Sequence, residues 1–485
     1  MDISKLPDVD DLIVVADNPA RDDLPGMDHA RCPALHNYLV HYAWVADGRP
    51  SASLQGNNTF FTHYGAAAEA LRPRLDPSLA AFLATAIVPA DVPELVPFFW
   101  CVAELSGPDE LFDNHTTDLS DMPADSLVCL FSPNIGQGGE SGGGLYYHQG
   151  CHRAAVFMHM DDYDSALPIE AHQELWHPLE TVLSHWIELL RLGKITASPS
   201  SVPSLFGSEK IGPWEWRPYG EAQVIGCVGA WDRLCDAIEA RVPSPAMATT
   251  TATNAAEQLL APAVLDAALL PENCFAREFL TRARRPRFRS IAPGLLLPPA
   301  DAHEFAEAQP FTKLPRSPQA MPPVYLFFTA RGEEEADLSE SNPFCDDFHP
   351  RTSHSPVPSL VPAGVYSESV SRDAYDIAEE GFRLLLPFGL VSDVGDGSAG
   401  ARKSDGSPVG RVAQGNAHEL FQHGYKPFGG DYHRPQRLER LLDHWHRRVE
   451  EGVWTVGPLG VEGDIDTFKR ADTAHWREYR ISPTW

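Results

Sequence analysis

Apolar residues recur every three or four positions through residues 33–105, and this spacing predicts helices. The segments are PALHNYLVHYAWV, THYGAAAEALRPRL, PSLAAFLATAI and DVPELVPFFWCVAEL, with proline or glycine interrupting them. A helix of about 3.6 residues per turn gathers such positions on one face, which can then be buried. Residues 33–105 are therefore predicted to be largely helical.

The pattern changes to short apolar runs after residue 124. DSLVCLF (125–131) ends at a Ser-Pro pair, RAAVFMHM (153–160) follows a glycine-rich loop, and FRSIAPGLLLP and PPVYLFF occur further along. Runs of this length, bounded by turn-forming residues, are typical of buried strands. We therefore predict a strand for each of them.

Four longer helical patterns stand between and after these runs. One begins at Pro178 and ends before Gly193, the placement of proline and glycine that helix ends favour. A second follows PWEWRPYGE, a third is AAEQLLAPAVLDAALL (255–270), and the last spans 435–451. The chain is thus predicted to be α+β, with mixed helices, a few short strands and proline-rich loops.

The stretch 242–254 is small, polar and aperiodic, and is the best candidate for a linker. It would separate an N-terminal region, 1–241, from a C-terminal α+β region, 255–485; the alternative is one compact unit. Two acidic or glycine-rich stretches, 331–358 and 393–410, are predicted to be exposed loops.

Acidic residues outnumber basic residues 67 to 38, which gives a formal charge of −29. A surface this negative repels phosphate backbones, so we expect neither DNA nor a membrane as a partner. A small-molecule ligand and a protein partner both remain compatible with the composition.

The eight cysteines form no CxxC, and the N-terminus lacks the pattern of a signal peptide. We expect a soluble, acidic protein of the reducing cytoplasm, with buried free thiols.

A glycine-rich segment, NIGQGGESGGGLYYHQG (134–150), contains the G-x-S-x-G pattern around Ser141. In nucleophile elbows this pattern places a serine on a strained turn between a strand and a helix. Neither a strand before Ser141 nor a helix after it is predicted here. Ser141 is therefore a candidate nucleophile, and the alternative is a plain glycine-rich connection between strands.

Potential metal ligands concentrate just after this loop. His159 and Asp161 lie two residues apart, so a strand would direct both side chains to one face, as in the HxD half of non-haem iron sites. His148 and His152 lie close by and are candidate catalytic residues. This arrangement predicts a divalent metal as cofactor. The alternative is a packed strand histidine followed by a solvated acidic turn.

The run TRARRPRFRS is an arginine-rich island in an acidic chain. The alternation of Arg285, Arg287 and Arg289 would align three guanidinium groups on one strand face, where they suit a phosphate or carboxylate ligand. The favoured alternative is pairing with acidic loops such as 333–335. Two aromatic clusters, WEW at 214–216 and HWH at 444–446, are predicted either to line a pocket or to pack in the core. The closing segment WREYRISPTW is predicted to dock on the protein as an ordered terminus.

Three resemblances accompany these patterns. The segments WHPLETVLSHWIELL, SEKIGPWEWRPYGEAQV and FKRADTAHWREYRISPTW resemble a group of proteins from filamentous fungi to which no activity is attached. The strand–loop–strand–helix order of 125–192 is similar to regulatory proteins of the Smi1/Knr4 type. Fungal arginine cyclodipeptide synthases are a third alternative, although their Asp-Asp-x-x-Glu motif is missing here.

Two functions follow as hypotheses. The first is an intracellular enzyme acting on a small molecule and dependent on a metal, with its site around Gly136–Asp164, where histidine, aspartate and glycine concentrate. The second is a non-catalytic regulatory protein, whose acidic loops and aromatic clusters contact a partner protein.

Overall fold

The computed structural model describes sixteen stretches of the chain. They are residues 6–54, 58–89, 105–112, 125–132, 144–157, 176–207, 210–243, 257–329, 334–339, 341–348, 357–373, 378–390, 399–404, 406–409, 417–423 and 436–482. The described residues divide into two compact units, one ending at residue 217 and one beginning at residue 218. The linker predicted at 242–254 lies mostly outside the described residues.

Unit 1 combines helices with two small antiparallel sheets. Its helices are α1 (Arg31–Ala46), α2 (Phe60–Tyr64), α3 (Ala66–Leu71), α4 (Pro77–Leu83) and α5 (Leu179–Arg191). Its strands are β1 (Leu127–Phe131), β2 (Gly144–His148), β3 (Arg153–Phe157), β4 (Ile195–Ala197), β5 (Lys210–Ile211) and β6 (Trp214–Trp216). The strand orders are β1-β2-β3 and β4-β6-β5. Three-residue 3-10 helices begin at Asp10, Ser51 and Arg72.

Unit 2 contains the larger sheet. Its helices are α6 (Glu221–Glu239), α7 (Pro262–Ala267), α8 (Phe275–Arg282), α9 (Ala302–Glu307) and α10 (Leu438–Glu450), with 3-10 helices Asp346–Phe348, Ile465–Asp472 and Trp476–Tyr479. Its strands are β7 (Ser290–Ala292), β8 (Leu295–Leu296), β9 (Ala320–Met321), β10 (Tyr325–Thr329), β11 (Glu335–Asp337), β12 (Leu360–Pro362), β13 (Gly364–Ser367), β14 (Val370–Ser371), β15 (Phe382–Leu390), β16 (Ala417–Leu420), β17 (Val456–Gly457) and β18 (Gly460–Val461).

Eight of these strands form one mixed sheet in the order β16-β15-β13-β10-β8-β7-β18-β17. All neighbouring pairs are antiparallel except β18 and β7, which run parallel. Trp231 of α6 stacks on Phe327 of β10 with ring centroids 5.6 Å apart, so that helix covers the middle of the sheet. Helix α10 packs against α6 in turn, and its buried stripe comprises Leu438, Leu441, Leu442, Trp445 and Val449.

The sheet also buries a charged network between neighbouring strands. Arg383 of β15 donates from Nε to Glu368 Oε2 at 2.8 Å and from Nη1 to Glu419 Oε1 of β16 at 2.9 Å. The Glu368 carboxylate accepts a further bond from the backbone N–H of Ser369 at 2.8 Å. All three charged side chains are buried, so each depends on the others for its hydrogen bonds.

The α+β fold class is confirmed, and most predicted elements have a counterpart. The helix expected over 255–270 is wrong in extent: it begins only at Pro262, which occupies its first turn, and ends at Ala267. The exposed loop expected over 331–358 is also wrong in its described part. There β11 pairs with β12, and Ala336, Leu338 and Phe348 are buried.

Seven cysteines fall within the described residues and all are free thiols. Five of them are buried, which confirms that prediction for Cys32, Cys129, Cys227, Cys235 and Cys274. No helix in the described part of the chain is long and apolar enough to cross a membrane.

Candidate functional site

An arginine-lined cavity of about 330 Å³ lies in unit 2, between α10 and the segment 476–482. Its lining consists of five arginines, one histidine, one tryptophan and one serine: Arg440, Arg447, Arg448, Arg477, Arg480, His444, Trp476 and Ser482. No carboxylate is among the described residues that line it. Such a lining is unusual for a chain of charge −29.

The helical wall follows from the spacing of its residues. Arg440, His444, Arg447 and Arg448 occupy positions i, i+4, i+7 and i+8 of α10, which a helix places on one face. This polar face lies beside the buried apolar stripe of the same helix. His444 is itself buried, and the edge of its ring meets Phe421 with centroids 5.4 Å apart. The lining side chains thus project from a helix that the core holds in place.

The second wall is the C-terminal segment, which is fixed to α10 by specific contacts. The side-chain amide of Gln436, just before α10, donates to the carbonyl of Ile481 at 3.2 Å, and the backbone of Glu478 lies beside the ring of His444. Tyr479 is buried and its hydroxyl donates to the carbonyl of Thr467 at 3.3 Å. The predicted docking of the terminal segment is therefore confirmed for residues 476–482.

Trp476 is the centre of a cation–π cluster on that wall. The guanidinium carbons of Arg477, Arg480 and Arg402 lie 4.4, 5.8 and 5.6 Å from its ring centroid. A tryptophan ring attracts cations electrostatically and also restrains the side chains that pack on it. The cluster therefore holds cationic groups at the cavity before any ligand arrives.

Among the described acidic residues near the cavity, Glu451 pairs with the lining Arg448, and Glu478 pairs with cations outside the lining. Glu451 lies 3.3 Å from Arg448, and Glu478 pairs with His475 at 2.6 Å and with Arg470 at 3.5 Å. Among the described residues, four lining arginines make no ion pair: Arg440, Arg447, Arg477 and Arg480. Within the described part of the chain, ion pairing thus neutralises the lining arginines only at Arg448.

Repulsion between these groups shows in the pKa of Arg440. Burial lowers that pKa below its ordinary value, the positive charges of Arg437 and Arg447 lower it further, and the carboxylates of Asp443 and Glu439 oppose the shift. Arginine remains charged at neutral pH even so. The dipole of α10 favours cations in its last turn, which accounts for Arg447 and Arg448 as helix-stabilising residues. The helix dipole does not account for Arg440, or for Arg477 and Arg480 of the other wall.

We expect the free energy of unfolding to fall more steeply with decreasing pH in the natural protein than in its His444→Gln variant. Burial and the charges of Arg448 and Arg447 lower the pKa of His444 to about 3, against an ordinary value of 6.5. As pH falls through 6.5 towards 3, the unfolded state takes up a proton that the folded state refuses, so stability is lost. Unfolding free energies measured at intervals across this range should differ in slope by up to about 1.4 kcal/mol per pH unit. Equal slopes would contradict the prediction.

Of the histidines predicted to be catalytic, His148 is the last residue of β2, and His152 lies in the turn between β2 and β3 of unit 1. The ring Nδ1 of His148 accepts hydrogen bonds from the backbone N–H groups of Gly150 and Cys151, both at 3.1 Å. The ring Nδ1 of His152 lies 3.1 Å from the hydroxyl of Tyr147. These bonds stabilise the turn and occupy the Nδ1 atoms of both rings.

The other predicted residues of that region are Ser141, His159 and Asp161, and all three lie outside the described residues. Within the described part, no group of three or more histidine, cysteine, aspartate or glutamate side chains is arranged to hold a metal ion. The metal and serine hypotheses for Gly136–Asp164 therefore stay predictions.

The arginine island divides into side chains with different environments. Arg285 donates to the carbonyls of Leu259 at 2.7 Å and Pro298 at 3.0 Å, so it joins backbone segments. Arg287 and Arg289 are exposed, and the strand that follows begins only at Ser290. The structure does not bring these three arginines together on a strand face. Their neighbours Arg282 and Arg284 pair with carboxylates of α6.

The sequence patterns above did not predict the cavity arginines, although the chain contains one signal for them. The helical spacing of Arg440, His444, Arg447 and Arg448 marks a cationic face on the C-terminal helix. No comparable sequence pattern predicts that Arg477 and Arg480 reach the cavity, because their position depends on how the segment after α10 returns along that helix.

Comparison of the chain with protein-family models, with curated proteins and with solved structures gives no match in any of the three. A function must therefore be argued from the chemistry of the site.

Proposed function

We propose that this protein binds a small anionic molecule in the arginine-lined cavity of unit 2. One observation carries the proposal: five arginines converge on a cavity of about 330 Å³, and no carboxylate is among the described residues that line it. Charges kept this close are mutually repulsive, and a bound anion relieves that repulsion through charge-assisted hydrogen bonds.

The dimensions favour a small molecule as the ligand. Ligand pockets are typically about 300–1,000 Å³, and this cavity lies at the lower end of that range. The remainder of the chain is strongly acidic, which opposes association with long polyanions such as DNA and with anionic membranes. The ligand is therefore recognised locally, within an otherwise repulsive field. We place this activity in the cytoplasm.

Calorimetric titration with inorganic pyrophosphate tests the proposal. We expect the Arg440→Gln/Arg480→Gln variant to bind about 100-fold more weakly than the natural protein, because two charge-assisted hydrogen bonds are lost. The matched control is Arg287→Gln/Arg289→Gln, which removes two exposed arginines of the same unit. Wild-type affinity in the Arg440/Arg480 variant, or an equal loss in the control, would overturn the proposal.

An enzyme with its site at Gly136–Asp164 remains a second hypothesis from the sequence, as does a protein-binding regulator. A catalytic role for Ser141 predicts labelling by a fluorophosphonate probe, and a metal role for His159 and Asp161 predicts stoichiometric metal by elemental analysis.

A further inference from the structure

We infer that the ligand of the arginine-lined cavity carries several phosphate groups on a non-aromatic scaffold, as a linear polyphosphate or a phosphorylated polyol does. The inference rests on the proposed function and specifies its ligand. It follows from the distribution of the arginines over two walls and from the environment of Trp476.

The arginines are too many and too widely spread for one phosphate group. Arg440 and Arg448 are eight residues apart on α10, which corresponds to about 12 Å along a helix axis. Arg477 and Arg480 approach from the C-terminal segment. One phosphate offers three or four oxygens within a few ångströms, so it can satisfy only part of this set. Two or more phosphates are needed to engage both walls.

The arginines of the two walls are held in different ways, and both arrangements favour a ligand with several negative charges. On α10, Arg440 and Arg447 repel each other and make no ion pair among the described residues, although the carboxylates of Asp443 and Glu439 act on Arg440 from a longer distance. On the other wall, Arg477 and Arg480 are held against Trp476. Within the described residues, the Nε of Arg448 and the Nε1 of Trp476 are buried donors without a hydrogen-bond acceptor.

The cation–π cluster argues against recognition of a nucleobase. A tryptophan ring has two faces, and three guanidinium groups lie within 5.8 Å of the Trp476 centroid. Stacking of a base requires a free face. The ring therefore acts as a support for cations, and nucleotides gain nothing over a polyphosphate of equal charge.

The test compares the affinities of five probes for the full chain at constant ionic strength. The probes are inorganic phosphate, pyrophosphate, tripolyphosphate, inositol hexakisphosphate and ATP. We expect tripolyphosphate and inositol hexakisphosphate to bind at least about 100-fold more tightly than phosphate, and ATP to bind no more tightly than tripolyphosphate. Equal pocket-dependent affinity for phosphate and tripolyphosphate would overturn this inference and leave the proposed function standing. No binding of any probe would overturn both.

Half-site variants separate the contributions of the two walls. Arg440→Gln/Arg447→Gln and Arg477→Gln/Arg480→Gln should each reduce tripolyphosphate affinity by at least about 30-fold, with a much smaller effect on inorganic phosphate. Because each variant alters exposed or half-exposed side chains, thermal unfolding should stay near wild type, and Arg→Lys versions control for folding. If one wall alone carries the whole effect for both probes, the two-wall arrangement is refuted.

Two further arms identify the source of the phosphates. Sedimentation with phosphatidylcholine vesicles containing a phosphoinositide, compared with phosphatidylcholine alone, distinguishes a lipid headgroup from a free polyphosphate; either result supports the shared chemistry. A single-stranded RNA oligonucleotide that displaces tripolyphosphate at a lower phosphate concentration would identify a nucleic-acid site and overturn the inference.

Discussion

Replacement of Arg383 by methionine is expected to destabilise unit 2 by about 3–5 kcal/mol, because it leaves two buried carboxylates without their partner. Arg383 is 7% exposed and bridges Glu368 and Glu419 across β15 and β16. Burial raises the pKa of Glu368 to about 7 even with the guanidinium present. Denaturant unfolding followed by circular dichroism should show a lower midpoint with little change in slope.

The loss should shrink as the pH is lowered. Without Arg383 the two carboxyl groups can become neutral only by binding protons, which acid promotes, so the variant is penalised less at pH 5 than at pH 8. The triple change Arg383→Met/Glu368→Gln/Glu419→Gln removes the charges together and should recover a large part of the stability. The control Arg287→Met changes an exposed arginine and should stay within about 0.5 kcal/mol of wild type. A pH-independent loss would contradict the electrostatic explanation.

The local pattern of the chain accounts for much of its secondary structure. The helix predicted from Pro178 to Gly193 is α5, with Pro178 as its N-cap and Gly193 at a φ of 68° just after its end. The apolar run 125–131 contains β1, and the C-terminal periodicity contains α10. These elements follow from residues that are neighbours in sequence, which is where propensity and periodicity act.

Pairing between distant segments was harder to predict. The expectation of an exposed acidic loop over 331–358 failed because its charged residues alternate with buried ones. Ala336 is fully buried between the exposed Glu335 and Asp337, and β12 supplies its partner strand. The eight-stranded order is likewise set by contacts between segments far apart in sequence, such as β18 with β7. The stretch is acidic on average, as its composition indicates. Which of its residues are buried depends instead on the alternation of side chains along the strand.

The candidate site shows the same limit. The concentration of histidine, aspartate and glycine in the sequence pointed to Gly136–Asp164, where the described histidines stabilise a turn. The arginine-lined cavity forms where a helix face of regular spacing meets a returning terminal segment. Half of that site was therefore visible as a periodic pattern, and the other half appears only through tertiary packing. A net charge of −29 also hid it, since an average over the chain cannot reveal a local excess of the opposite sign.

Replacement of Tyr479 by alanine is expected to release the C-terminal wall and with it most of the affinity for polyphosphate. Tyr479 is 4% exposed, and the edge of its ring meets Phe468 with centroids 6.2 Å apart. Removing a buried aromatic side chain costs about 3–5 kcal/mol, and here the cost falls on a terminal segment that can detach locally. Amide exchange in residues 473–482 should accelerate by at least about 100-fold.

Detachment removes Arg477, Arg480 and Trp476 from the cavity together, while α10 keeps its own arginines. Tripolyphosphate affinity in Tyr479→Ala should therefore fall to the level of the Arg477→Gln/Arg480→Gln variant. The matched control is Tyr479→Phe, which keeps the ring and loses only the 3.3 Å hydrogen bond to Thr467, a change of about 1 kcal/mol or less. Because Tyr479 does not line the cavity, wild-type affinity in the alanine variant, despite fast exchange of the segment, would mean that α10 binds the anion alone.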